Sequence, residues 1–227
     1  MIVPDWPVRP DIRALVTTRA EGNLATHVGD PGLALQNRAR LTSSLSLPRE
    51  PVWLEQVHGT DVHIASGDTL LTPRADAACS AEVGLPLVVL VADCLPILLA
   101  SEYGEIAVVH AGWRGLAAGI IDKTLARIES GRITAWLGPA IGPCHYEVDA
   151  PVRDSFESQT GFTRGRDAVH WHMDLCSVAR EQLQRSGVSK ICGGGICTWC
   201  DQRFYSHREN GAEARFAALI WREPGPG

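Results

Sequence analysis

A chain of 227 residues is long enough for one sizeable domain, and its 45% hydrophobic content with a formal net charge of −5 describes an ordinary globular protein. No run of Lys or Arg exceeds two residues, which argues against a nucleic-acid partner, and the excess of 19 Arg over 2 Lys carries no functional weight. The N-terminal MIVPDWPVRPDIRAL lacks a basic stretch leading into an apolar one, so no secretory signal is expected. Segment 85–100 is too short, and too interrupted by Asp93 and two prolines, to span a membrane. Seven cysteines, an odd number without a signal, predict reduced thiols in the cytoplasm.

In chain order, ALVTTR predicts a short β-branched strand closed by Arg19. The turn-rich AEGNLATHVGDPGLA carries His27 and precedes a helix over 33–45 that ends before Leu47-Pro48. PVWLEQVHGTDVHIA predicts two short strands broken at His58-Gly59, where backbone can approach a ligand closely. Residues 69–83 read as a loop or sheet edge holding Asp76 and Cys79.

Two apolar runs in 85–119 then predict the strands around which the chain is organised. Each delivers one reactive side chain at an interruption: Cys94 in VADCLPILL and His110 at the end of IAVVHAGW. An unpaired aspartate buried in such a run would be costly, so Asp93-Cys94 marks the first place to look for chemistry. If Cys94 faces a site, Asp93 faces away unless the strand ends there, and then serves as a hydrogen-bond acceptor for neighbouring loops.

After the GWRG turn, LAAGIIDKTLARIES predicts one amphipathic helix, with apolar residues at 116, 120, 121, 125 and 128. ITAWLGPAIGPCHYEV predicts a strand running into a loop that presents Cys144, His145 and Tyr146. A helix over 152–159, a strand in AVHWHMDL and a helix in DLCSVAREQLQRSGV stopped by Gly187 follow. The end of the chain predicts a Gly-rich turn, a loop, a last strand and a disordered tail at 223–227. No internal repeat or linker occurs, so a single domain over 1–227 with a mixed sheet is the expectation. No GxGxxG or GxxxxGK[ST] in a strand-to-helix context points to a nucleotide-binding loop.

Strand ends that bring His58, Cys94 and His110 together would offer two imidazoles and one thiolate, a set that suits zinc and leaves a fourth tetrahedral position for water. The same residues also suit a Cys94 nucleophile with a histidine base, or a buried thiol beside hydrogen-bonded histidines, and their spacing alone does not choose. Cys192-x4-Cys197-x2-Cys200 near His207 suits a structural zinc or an iron–sulfur cluster, with the spacing of plant-type ferredoxins, but Cys176 could supply the fourth cysteine only by tertiary accident, so free thiols are expected there. His170-x-His172 has no partners to complete a ligand set. Arg114 suits either an anion clamp or a salt bridge at a helix start, and Trp113 and Tyr146 either line a pocket or fill core.

TTR at 17–19, HVGD at 27–30, QNR at 36–38, LEQVHG at 54–59 and VADCLPILL at 91–99 stand in one order with VVHAGWRGLAAGI at 108–120, GPAIGPCHYEV at 138–148 and FYSHR at 204–208. In these pieces the chain resembles the laccase-domain or polyphenol oxidase family, associated with purine nucleoside phosphorylase and adenosine deaminase activity. The resemblance spans nearly the whole chain. It implies an α+β single domain of mixed β-sheets sandwiched between helices, with zinc on His58, Cys94 and His110. It also implies a cytoplasmic enzyme acting on small-molecule nucleosides and phosphate. Phosphorolysis needs a cation for the phosphate, for which Arg19 is the first candidate and Arg114 the second, with Tyr146 as a further substrate-binding residue.

Two departures from the family pattern bear on substrate preference. AEGNLATHVGD lacks the longer GGVS loop and downstream SLNLG, keeping only Asn23-Leu24, and His207 stands where tyrosine is common. Three other functions compete: copper-dependent phenol oxidation, for which eight histidines are few; an amidase editing a peptidoglycan precursor; and a binding domain without turnover.

Overall fold

The structure, a computed structural model, describes residues 1–67, 72–129, 131–211 and 214–224. Among them lie three sheets. The largest has six strands in the order Lys190–Gly193, Ile133–Leu137, Leu95–Ser101, Ile106–Ala111, Ala77–Ser80 and Val62–Ile64. Its two outermost pairs are parallel and the inner ones antiparallel, so the sheet is mixed. A second sheet is antiparallel, ordered Ile12–Val16, Phe216–Arg222, Leu87–Val91, and a third joins Glu147–Asp149, His170–Met173 and Phe162–Arg164.

The layers follow from strands that are apolar on both faces, as sheets covered on both sides require. Leu95, Ile97 and Leu99 turn toward a core shared with helices Ile120–Leu125 and Leu175–Arg185, while Leu98 and Ala100 turn toward the second sheet. In that sheet Leu87, Val89 and Val91 meet the first, whereas Val88 and Leu90 pack with Leu24 and Leu41 beneath helix Pro31–Ser44. The result is the single α+β domain of sheets between helices that the family likeness implies. Among the described residues no helix is long and apolar enough to cross a membrane, and segment 85–100 is two buried strands.

Several local expectations change. Helix Pro31–Ser44 starts two residues early because Asp30 caps it, its carboxylate accepting from the Gly32 and Leu33 N–H groups, with Pro31 at the first helical position. The single helix expected after GWRG is two, Trp113–Ala117 and Ile120–Leu125, broken where Gly119 adopts φ +83°. Leu116, Ile120 and Ile121 are nonetheless all buried. Of the two strands expected in PVWLEQVHGTDVHIA only Val62–Ile64 forms, and the helix expected over 152–159 is Ala150–Asp154.

The largest correction concerns residues 69–83, expected as a loop or edge. Ala77–Ser80 is a wholly buried strand paired on both sides, while residues 69–71 lie outside the described residues. At the C-terminal end Glu223, expected in a disordered tail, donates its N–H to the Asp11 carbonyl at 2.7 Å and pairs with Arg13 at 2.9 Å. Residues 225–227 lie outside the described residues.

Candidate metal centre

The chain changes sheets at Ala92–Cys94, between strand Leu87–Val91 of the second sheet and Leu95–Ser101 of the first. That switch explains the interruption in the apolar run. Asp93 takes φ +88°, a conformation most side chains avoid, and its two carboxylate oxygens accept from the Thr198 hydroxyl at 2.6 Å and the Arg208 N–H at 2.6 Å. Asp93 thus ties two late loops to the switch, and Cys94 is left on its other side. His110 sits near the end of strand Ile106–Ala111, opposite Pro96. His58 reaches the same point from a tight turn, with φ +59°.

His58 Nε2 stands 3.8 Å from Cys94 Sγ, the two imidazoles meet edge to face with centroids 4.8 Å apart, and the three ligand atoms all lie within 4.8 Å of one another. A tetrahedral zinc with bonds of about 2.0–2.3 Å places sulfur and nitrogen ligands roughly 3.5 Å apart, so this donor set fits such an ion after small side-chain adjustment. Burial works against a Cys94 thiolate, but His110 and then His58 outweigh it and bring the thiol down to about 6. Burial likewise opposes a charged His110, which the Cys94 sulfur and Asp76 raise to about 9. The site therefore already favours the thiolate that a soft divalent ion requires.

Asp76, fully buried, organises both histidines. One carboxylate oxygen faces His110 Nδ1 at 2.8 Å and the His58 N–H at 2.9 Å; the other accepts from the Gly59 N–H at 2.6 Å and the Val57 N–H at 3.2 Å. A carboxylate on Nδ1 leaves Nε2 as the ligand nitrogen, while the backbone bonds hold the strained His58 turn in place. Gln56 completes the clamp, its amide donating to the Leu90 carbonyl at 2.8 Å and accepting the Leu90 N–H at 2.7 Å.

Gly112 passes so close that an added Cβ would stand 3.0 Å from Cys94 Sγ and 3.2 Å from His58 Cδ2. Gly112→Ala is therefore expected to weaken metal binding by displacing Cys94 or His58 while leaving the thermal midpoint of the metal-free protein within a few degrees of wild type. Equilibrium competition with a chelator reads the first effect, and unchanged affinity would dispose of the crowding argument.

A cavity of about 250 Å³ opens over the trio, with His27, Gln56, Tyr146, His207, Arg208 and Arg215 among its walls. Tyr146 is nearly buried, and burial first, then the Cys94 sulfur, raise its pKa, so it remains a neutral phenol. The Arg208 guanidinium lies 5.2 Å from the Tyr146 ring centroid. Burial lowers the Arg215 pKa, opposed by Cys94 and Asp93. Asn23 braces the segment that brings His27 and Arg215 to the cavity, donating to the Ala25 and Val28 carbonyls and accepting the Arg215 N–H. The two segments that depart from the family pattern thus reach this cavity at His27 and His207.

Arg19, the first candidate for an anion contact, is turned elsewhere: its Nε donates to the Phe204 carbonyl at 2.6 Å and its guanidinium lies over Tyr205. Arg114 lies over Trp113 and lines a neighbouring groove that shares Tyr146 and Arg208 with the cavity. His170 Nδ1 is engaged by Asp167, and the His170/His172 pair joins no metal-ligand group among the described residues. Cys192 lies on strand Lys190–Gly193 beside Trp136, apart from Cys197 and Cys200.

A switch point between sheets that carries two imidazoles, a thiol and a buried carboxylate beneath a cavity edged by Arg208 and Arg215 defines an α+β protein with a candidate metal centre. The chain belongs to the family described as multi-copper polyphenol oxidoreductase laccase, whose model matches residues 16–223. It is 42% identical to a Xylella fastidiosa protein named purine nucleoside phosphorylase, over 97% of this chain and 96% of the relative. It is 39% identical to purine nucleoside phosphorylase YfiH of Escherichia coli, over 97% and 98%. The crystal structure of a Neisseria meningitidis protein superposes with a TM-score of 0.92 at 35% identity, covering 98% of this chain and 99% of that one. YlmD from Geobacillus stearothermophilus gives 0.85 at 32%, covering 95% and 93%.

Proposed function

We propose that the chain is a zinc-dependent purine nucleoside phosphorylase that also deaminates adenosine, working in the cytoplasm on small-molecule nucleosides and phosphate. The observation that carries this reading is the meeting of His58, Cys94 and His110 under a cavity whose walls combine a phenol with two guanidinium groups. The names of full-length relatives support the phosphorylase, and seven free cysteines are in keeping with a reducing compartment. His58, Cys94 and His110 would hold the zinc, which when bound would supply Lewis-acid chemistry at this end of the cavity.

The chain's own residues divide the remaining work. In phosphorolysis a C1′–O bond to phosphate forms as the C1′–N bond to the base breaks, and the departing base takes a proton. Tyr146, a neutral phenol, would donate a hydrogen bond to the departing base, whose proton comes from the attacking dihydrogen phosphate. Arg208 and Arg215 hold the phosphate, with Arg114 at the adjoining groove. In deamination a C6–O bond replaces the C6–N bond of adenosine and ammonia leaves, so the purine edge must turn toward the trio.

The test incubates freshly purified protein with adenosine and inosine, with and without phosphate, and reads free base and ammonia by chromatography. Phosphate-dependent base release together with ammonia from adenosine supports the proposal; neither product at stoichiometric metal loading refutes it. Arg208→Ala is expected to raise the KM for phosphate about 10- to 100-fold, the worth of one charge-assisted hydrogen bond, with little change in ammonia release.

A further inference from the structure

Cys197 and Cys200, expected as free thiols, meet Cys144 and His145 from a loop more than fifty residues earlier. The four ligand atoms lie within 4.8 Å of one another. Cys144 Sγ is 3.8 Å from Cys197 Sγ and 3.8 Å from Cys200 Sγ, and His145 Nδ1 is 3.2 Å from Cys144 Sγ and 3.4 Å from Cys200 Sγ. The edges of a tetrahedron around zinc, with bonds of about 2.3 Å to sulfur and 2.0–2.1 Å to nitrogen, are roughly 3.8 Å between sulfurs and 3.5 Å between sulfur and nitrogen. The observed separations match that figure.

We propose that Cys144, His145, Cys197 and Cys200 form a second metal site, a closed Cys3His zinc centre separate from the His58–Cys94–His110 trio. Its supports are built in. The Gly142 N–H points at Cys197 Sγ at 3.2 Å, leaving that sulfur as acceptor. A Cβ at Gly142 would stand 3.1 Å from Cys197 Cβ and 3.3 Å from Cys144 Sγ, so backbone and ligands are already in close contact. The His145 ring is stacked on Trp199 at 4.7 Å and 5°, which fixes the imidazole with its Nδ1 toward Cys144 and Cys200. Four protein ligands leave no open position, the mark of a structural rather than a catalytic zinc.

The place of this centre suggests what it does. Tyr146 follows His145 directly into the wall of the cavity, and Thr198, between the two late cysteines, donates to Asp93 at the sheet switch. One ion would therefore pin together these two segments at their outer face, where Cys144 and Cys200 are exposed.

The test is metal counting on protein dialysed against a weak chelator and reloaded with zinc alone. Two equivalents per chain are expected in the wild type, one in Cys94→Ala, and one in Cys144→Ser and in Cys200→Ser. Should the serine variants fail to fold, Cys94→Ala loaded with cobalt decides: thiolate-to-cobalt charge-transfer and tetrahedral visible bands must persist, and chelation must lower its thermal midpoint. A single equivalent in the wild type that vanishes in Cys94→Ala overturns the second site, as does a disulfide among Cys144, Cys197 and Cys200 in an unreduced digest. Because the count is independent of turnover, it can fail while nucleoside cleavage stands, and the reverse.

Discussion

Replacing Cys94 by alanine is expected to remove the metal held by the trio and, with it, both phosphorolysis and deamination. The thiolate is the only anionic ligand of the three, and it sits between two imidazoles, so its loss leaves two neutral donors on separate segments. Removing a group that merely orients a ligand costs 10- to 100-fold in metal affinity as a rule, and deleting the ligand itself should exceed about 100-fold. Cys94→Ser is expected to fall nearly as far, because a hydroxyl does not ionise near neutral pH and cannot replace the sulfur. Metal content and product release measured on one preparation check this. Full turnover in a Cys94→Ala protein shown to lack metal at the trio would end the metal-dependent reading.

The sequence carried this centre unevenly. Cys94 and His110 were legible because each interrupts an apolar run, and the interruptions are real events in the fold: a change of sheet at 92–94 and the end of a central strand at 110–111. Asp93 was legible in the same way, as a costly residue that required partners, and it has two. Asp76 was not. It precedes Ala77-Ala78-Cys79-Ser80, small residues with little strand preference, and that strand is buried because larger neighbours close over it on both sides.

Direction was the second thing hidden. Arg19 stands first and Arg114 second as anion contacts in one dimension, but the Arg19 guanidinium turns to Phe204 and Tyr205, while Arg208, which the sequence does not mark as an anion contact, lies along the cavity. The Cys3His group was half visible: Cys-x-x-Cys announced a pair, yet the spacing drew attention to Cys192, the next cysteine upstream. The completing ligands come from a loop joined to the Cys197 segment by the Ala140–Cys197 bridge and the Gly142 N–H, tertiary contacts no local pattern encodes. Gly119 shows the opposite case, a residue that a helical pattern tolerates on paper but that bends the chain once the backbone takes a positive φ.

Asp76→Ala is expected to be the most damaging change that touches no ligand atom of the centre. It would leave His110 Nδ1 and the N–H groups of Val57, His58 and Gly59 without their acceptor, and breaking a buried pair such as Asp76–His110 from one side costs about 3–5 kcal/mol. Metal affinity should fall about 10- to 100-fold at the same time, since His110 loses the group that sets its tautomer and His58 loses the bonds that hold its turn. Asp76→Asn separates the two effects: it preserves volume and one acceptor oxygen, so it should keep more of the stability than of the affinity. The variant also has a pH signature. Burial by itself would raise the Asp76 carboxyl, but His110 and the backbone N–H groups outweigh it and hold the group below its ordinary value of 3.8. A carboxyl lowered on folding contributes stability that is present above the unfolded value and is lost as pH falls through the folded one. In urea titrations of metal-free protein, wild type should therefore lose stability steeply on the acid side of 3.8, and Asp76→Asn should show a shallower fall over that range. Parallel acid limbs for the two proteins would mean that Asp76 does not hold the site by its charge.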